Sequence, residues 1–240
     1  MKIKFVAFLL FILLFKFNSN AQNVVGDIPG KGLDIQTNPQ GFVSQLPPAP
    51  AEIQGNYYLT DEWSLGTIYL DKIKLENYYI RYDIKLNQFE LKAGNSIKVL
   101  DGKRVKNFSI QNIAKAITDE YINAKDFTLD NVALTGFLKI ITDGRWKLLS
   151  RTETKFIKSG YVSALDAGEK NDQITKTEKF YVANGSVLID AKMLKKKNYQ
   201  ELFSKESEET QKSIASSNFN TKNVLDLSRL VNLLNASTLN

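Results

Sequence analysis

The sequence predicts an α+β protein built on an antiparallel, meander-rich β-sheet, curved or forming a partial barrel, with a short mid-chain helix and a helical C-terminal segment. Three observations carry this expectation. Apolar and charged residues alternate over Thr67 to Leu100. The hairpin dipeptides Asp143-Gly144 and Asn184-Gly185 each separate two apolar runs. After Lys192 the apolar spacing changes from the strand period to the helical one.

The first 21 residues, MKIKFVAFLLFILLFKFNSNA, read as a secretory signal peptide. Lys2 and Lys4 charge its start, Phe5 to Phe15 is an unbroken apolar run, and Ser19-Asn20-Ala21 supplies small residues for cleavage before Gln22. The run is shorter than the roughly 20 residues a membrane span needs. Residues 22–55 hold all five prolines and several glycines without periodicity, so they read as an extended arm or linker, pinned locally by Phe42 and Val43. A segment that docks on its own domain or on a partner is the functional alternative.

The β domain is expected over 56–191. A turn at Asp71-Lys72 pairs Leu70 with Ile73 and Ile68 with Leu75, and a parity slip at Glu76-Asn77 predicts a β-bulge. A two-residue loop at Asn87-Gln88 sets Leu86 against Phe89, Ile84 against Leu91 and Tyr82 against Ala93. The same register places Lys85 against Glu90 and Asp83 against Lys92. A three-residue loop at Ala93-Gly94-Asn95 then sets Leu91 against Ile97 and Phe89 against Val99, so one face is apolar and the other charged. Ile110, Ile113, Ala114 and Ile117 fall at helical spacing, which predicts the short mid-chain helix. The hairpin around Asp143-Gly144 is apolar on both faces, as in a sheet interior. A second hairpin turns at Asn184-Gly185.

The helical segment, 192–240, packs on the β domain in this reading. Its clearest helix carries Leu227, Leu230, Val231 and Leu234 on one stripe, with Asn220 or Thr221 as N-cap.

Charge and composition narrow the functions. The chain carries +6, but Lys2, Lys4 and Lys16 belong to the leader, which leaves +3, too little to point to nucleic acid. With no cysteine there is neither a disulfide scaffold nor a lipid-anchored cysteine, so the protein is not expected to be a conventional lipoprotein. Without cysteine and histidine the common nucleophile–base pairs and most transition-metal sites are missing. No Ser-x-x-Lys, phosphate-binding loop or dinucleotide fingerprint occurs. No cofactor and no metal is expected.

Several clusters remain as candidates, each beside a plainer reading. Asp61, Glu62 and Asp83 lie near Tyr57, Tyr58 and Trp63 and could serve a carboxylate-dependent hydrolase. Asp83 is already claimed by Lys92 in the ladder, and adjacent acids point apart. Asp166, Glu169, Asn171 and Asp172 could hold calcium, but Gly168 breaks the loop pattern, and a solvated turn is the simpler reading. Lys192 and Lys195 to Lys197 could meet an acidic headgroup through peripheral membrane contact; a solvated helical turn is the ordinary alternative. The candidate ligand-binding residues are Tyr79 and Arg81 on the charged face and Ile80, Tyr82, Ile84 and Leu91 on the apolar one.

At NYYLTDEW, GTIYL and YYIRYDIKLNQFELK, and again at GYVSALDAGEKNDQI, KFYVANG and KKKNYQELF, the chain resembles a family of uncharacterised exported proteins of Bacteroidota-type bacteria. The resemblance runs from about Asn56 to about Leu234. It implies export and a single β-rich domain with a helical tail, and carries over no catalytic residue. The expected function is a non-enzymatic periplasmic or secreted envelope protein that binds a ligand or partner protein or is structural, one specific form being a carrier of a lipid or other apolar molecule. The alternative is a protein-interaction module with a filled core, and a carboxylate-dependent hydrolase stands outside that class. A cavity lined by Ile80, Tyr82, Ile84 and Leu91 favours the carrier; a filled interior favours the interaction module.

Overall fold

The computed structural model describes residues 52–112, 115–162 and 165–236. The leader, the arm up to residue 51, and Ile113 and Ala114 lie outside the described residues.

Thirteen described strands form one mixed, antiparallel-rich sheet that does not close. β2 (Ser64–Tyr69) and β3 (Lys74–Asp83) pair through the expected turn, with Ile68 opposite Leu75 and the Leu70 amide donating to the Ile73 carbonyl at 2.8 Å. The bulge falls where the parity slips: Gly66 faces Tyr78 while Ile68 faces Leu75, and Asn77 takes φ +60°. β3 and β4 (Gln88–Ala93) differ from the expected register. Tyr82 pairs with Phe89 and Ile80 with Leu91, leaving a four-residue turn, Ile84 to Asn87. The Asp83 carboxylate accepts the Leu86 amide and Asn87 takes φ +51°, which stabilises the longer loop over Asn87-Gln88. The slip is four positions in total, an even number, so the same residues stay on each face.

The next turn is a correction with larger consequences. β5 (Ser96–Asp101) joins β4 through two residues, Gly94-Asn95, not three; Ala93 pairs with Ser96 and Lys92 with Ile97. Gly94 sits at φ +60°, as primed hairpin turns require. A register change of one residue swaps faces. Leu100 therefore joins the core side, and Ile97 and Val99 stand outside at 55% and 63% exposure.

The mid-chain helix is also corrected. Ile110 lies on β6 (Asn107–Asn112) and Ile117 begins β7 (Ile117–Asn123), the two arms of an antiparallel hairpin. The helical spacing arises because a turn interrupts strand alternation: Ala116 takes φ +52° and the Lys115 amide donates to Asn112 Oδ1. Among the described residues near this region, helical backbone is 3-10 at Gly102–Arg104, at Lys115 and at Ala124–Asp126.

After the short β8 (Thr128–Leu129) and β9 (Val132–Ala133), the hairpin of β10 (Phe137–Thr142) and β11 (Trp146–Ile157) turns at Asp143-Gly144 and is buried on both faces. β12 (Asp172–Asn184) and β13 (Val187–Asp190) turn at Gly185-Ser186, one residue later than expected. The sheet order is β5-β4-β3-β2-β6-β7-β10-β11-β12-β13-β8-β9.

The tail folds as α1 (Tyr199–Leu202), α2 (Glu208–Ser216) and α3 (Val224–Ala236). The expected stripe of Leu227, Leu230, Val231 and Leu234 is fully buried against Trp146, Leu148 and Val182. The cap is Asn223 rather than Asn220 or Thr221: its Oδ1 accepts the Leu225 amide at 2.9 Å. Buried Glu206 takes a guanidinium fork from Arg145 and the Trp146 indole N–H at 3.0 Å, and Asn235 bonds both backbone groups of Trp146.

The sheet is strongly curled. Four strand steps separate β3 from β10, about 19 Å if flat, yet the Tyr82 and Phe137 rings lie 5.2 Å apart. Phe89, Phe108 and Tyr121 complete this aromatic core. Residues 53–61 strap the gap between β12 and the end of β3. β1 (Ile53–Gln54) pairs in parallel with Asp172 and Gln173, and the Leu59 amide donates to the Tyr82 carbonyl.

Candidate functional site

The six candidate residues divide between the two faces of β3 and its neighbours, because successive strand residues point to opposite sides. Ile80, Tyr82 and Leu91 belong to the inner aromatic core, and Ile84 packs at its margin. Ile80 and Leu91 are packed into that core, whereas Tyr82 and Ile84 border a small cleft described below. Tyr79 and Arg81 stand on the outer face. The six do not form one site.

On the outer face the chain builds a stack of rings and cations. The Arg81 guanidinium lies 4.0 Å from the Tyr58 ring centroid and 4.3 Å from that of Trp63, and donates to Glu90 at 2.6 Å. The Lys92 ammonium sits 4.6 Å over Trp63 and 5.9 Å from Tyr79, and Lys85 lies 4.5 Å over Tyr57. The two lysines are held by these ring contacts without a carboxylate. Burial raises the Glu90 carboxyl, but hydrogen bonds from Arg81 and Tyr58 outweigh it and hold the group below its ordinary value. Tyr79 is 54% exposed at the end of the stack, close to Ile97 and Val99, which pair with Lys92 and Glu90. β5 is an open edge of the sheet. Sequence reasoning placed Ile97 and Val99 in the core, and the shorter glycine turn was the signal that could have moved them.

The acid clusters are dispersed. Asp61 accepts from Lys176 at 2.6 Å and from Asn56 at 3.0 Å, and the Lys176 and Asn56 hydrogen bonds lower its pKa. Asp83 caps the turn after β3 rather than pairing with Lys92. The polar loop expected over 165–178 ends where β12 begins at Asp172; Asp166 takes the Tyr161 hydroxyl and pairs with Lys170, while Asp172 accepts the Ser159 amide. Among the described residues no group of three or more acids is placed to hold a metal ion. Of the basic cluster, Lys196 and Lys197 rim a surface pocket of about 220 Å³ floored by Tyr199, Phe203 and Ile214.

The cleft lies at the seam where the curled sheet meets the strap, with a volume of about 90 Å³. Leu59, Tyr82, Ile84, Lys85 and Asn87 form one wall. Tyr121, Thr135, Gly136, Phe137, Ser150, Arg151 and Thr152 form the other. The Tyr82 hydroxyl donates to Asn87 Oδ1 at 2.9 Å. Burial pushes the Tyr82 and Tyr121 hydroxyls far above their ordinary pKa, so both stay protonated donors. No signal local in sequence marks the cleft, because its walls come from strands that are not neighbours in the sheet.

No family model, no curated protein and no solved structure matches the chain.

Proposed function

We propose that the protein is an exported, non-enzymatic interaction module of the cell envelope that docks a partner polypeptide along the outer face of β3–β5. The observation that carries this reading is an uncovered strand edge beside a packed core: Ile97 and Val99 on β5 and Tyr79 on β3 stand exposed next to the ring–cation stack of Tyr58, Trp63, Arg81 and Lys92. An open edge offers backbone donors and acceptors to an added strand. A strand paired with β5 would meet Ile97 and Val99 on one face and Lys98 on the other. Lys98 and Lys92 form no ion pair with another described residue. The partner segment therefore alternates apolar and acidic residues. The cleft that Tyr82 and Ile84 border, about 90 Å³, and the larger pockets of about 220 and 270 Å³ elsewhere fall below the roughly 300 Å³ at which ligand pockets begin, which supports docking over carriage of a whole lipid.

The test places a photo-crosslinking residue at Ile97, at Val99 and, as a distant exposed control, at Leu225, in the intact envelope. A discrete adduct from the first two positions and not from the third is the expected result. Absence of adducts, or the same set from all three, overturns the reading.

A further inference from the structure

The basic run that begins at Lys192 is marked in the sequence and takes no part in the β5 edge. From Lys192 to Phe203 the chain carries four lysines and a single acid, Glu201. That stretch alone supplies +3, as much as the whole chain beyond its leader. The remainder is balanced, and the positive field is concentrated here.

The structure turns this run into a compact knuckle. Two single 3-10 turns, Ala191–Met193 and Lys196–Asn198, follow one another, and buried Leu194 ties the join to the core that α3 also fills. The Met193 carbonyl accepts the Lys195 amide at 2.8 Å and the Asn198 side-chain amide at 3.3 Å, which draws the two turns together. Lys192, Met193, Lys195, Lys196 and Lys197 are all exposed. None of the four ammonium groups forms an ion pair or hydrogen bond with a described residue. Acids close by in the chain are engaged elsewhere: Asp190 accepts the Lys192 backbone amide, Glu206 binds Arg145 and Glu208 pairs with Lys212.

An apolar component lies beside the charge. Met193 is 59% exposed within the run. The pocket that Lys196 and Lys197 rim is floored by Tyr199, Phe203 and Ile214, and its Gln211 is occupied by the Ser204 and Glu206 carbonyls. The Tyr199 ring is buried, yet its hydroxyl has no hydrogen-bond partner among the described residues and keeps contact with solvent. A tyrosine divided in this way suits the boundary between hydrocarbon and water.

We propose that the knuckle docks the protein on an anionic bilayer surface, with Lys192, Lys195, Lys196 and Lys197 against the lipid phosphates and Met193 entering the headgroup boundary. A run that was basic alone would equally suit a soluble polyanion or an acidic polypeptide. The exposed thioether among the lysines and the apolar floor beside them favour a bilayer, which presents negative phosphates over hydrocarbon. The knuckle packs on the core of Trp146 and α3, whereas β5 borders the aromatic core around Phe89, so this surface is built apart from the docking edge.

The test uses the protein in its exported form, beginning at Gln22 in the reading above, with vesicles of phosphatidylcholine alone or in equal parts with phosphatidylglycerol. The chain has no cysteine, so Met193→Cys provides a single attachment point for an environment-sensitive fluorophore. Blue-shifted emission is expected with phosphatidylglycerol vesicles, and none with phosphatidylcholine alone, soluble polyphosphate or polyglutamate. In flotation, Lys196→Gln combined with Lys197→Gln should weaken binding about 25-fold, from roughly fivefold per lysine at an anionic surface. Lys196→Arg combined with Lys197→Arg keeps the charge and should leave binding unchanged. Met193→Ser should weaken it about fourfold, the equivalent of one buried methylene. Equal shifts with both vesicles, a shift with polyphosphate or polyglutamate but not with vesicles, or unchanged flotation of the glutamine pair each overturns the assignment. Vesicle binding requires no partner polypeptide, so it succeeds or fails separately from adduct formation at Ile97.

Discussion

Arg81 shows how one residue can serve both stability and surface. Its guanidinium is held by Tyr58, Trp63 and Glu90 together, so the outer stack is ordered by the chain's own residues. Sequence alternation correctly put Arg81 and Tyr79 on the outer face, but assigned Glu90 to Lys85, because the loop length that sets the register is not visible in the alternation itself. Glu90 also yields a pH prediction. Its folded pKa lies below its unfolded value of about 4.3, so its contribution is fully present above that pH and is lost as pH falls through the folded value. Melting temperature measured from pH 7 to pH 3 should fall less steeply in Glu90→Gln than in the unaltered protein. A residual slope remains from Asp61, Asp143 and Asp166, whose carboxyls are also held below their ordinary value, chiefly by hydrogen bonds from Lys176, Lys147 and Tyr161 respectively. Identical slopes would show that the Arg81–Glu90 pair does not persist in solution.

At the scale of elements, turns decide which faces exist. The Asp71-Lys72 turn and the bulge at Asn77 were legible because a charged turn and a parity slip leave a mark in the residues. The Gly94-Asn95 turn was not, because two- and three-residue loops both fit Ala93-Gly94-Asn95 and only φ at Gly94 with the pairing of Ala93 and Ser96 separates them. The consequence is measurable. Ile97→Thr should change stability by less than about 0.5 kcal/mol, whereas Leu100→Ala, on the core side, should cost about 1.5 kcal/mol; urea unfolding midpoints of the two variants check this. The reversed order would restore the three-residue loop. The segment 110–117 teaches the same lesson in another form: four apolar residues at helical spacing also fit two strands broken by a turn, and pairing with neighbours on both sides selects the strands.

For the molecule as a whole, the curl of the sheet is the decisive event, and Phe137 is its keystone. Its ring lies 5.2 Å from Tyr82, 5.3 Å from Phe89 and 5.0 Å from Phe108, joining β10 to β3, β4 and β6. Phe137→Ala should therefore cost about 3–4 kcal/mol, while Phe156→Ala, half-exposed on the far part of β11, should cost less than about 1 kcal/mol. Chemical denaturation of both variants checks the contrast, and equal losses would mean that the curl is held elsewhere. The sequence by itself determined the alternating strands, several of the turns and the buried stripe of the last helix, because each depends on residues close together in the chain. Tertiary structure alone decided the face of β5, the strands in place of the mid-chain helix, and the cleft between Tyr82 and Arg151. Those features depend on loop geometry and on contacts between strands far apart in sequence, whose energies no local pattern records.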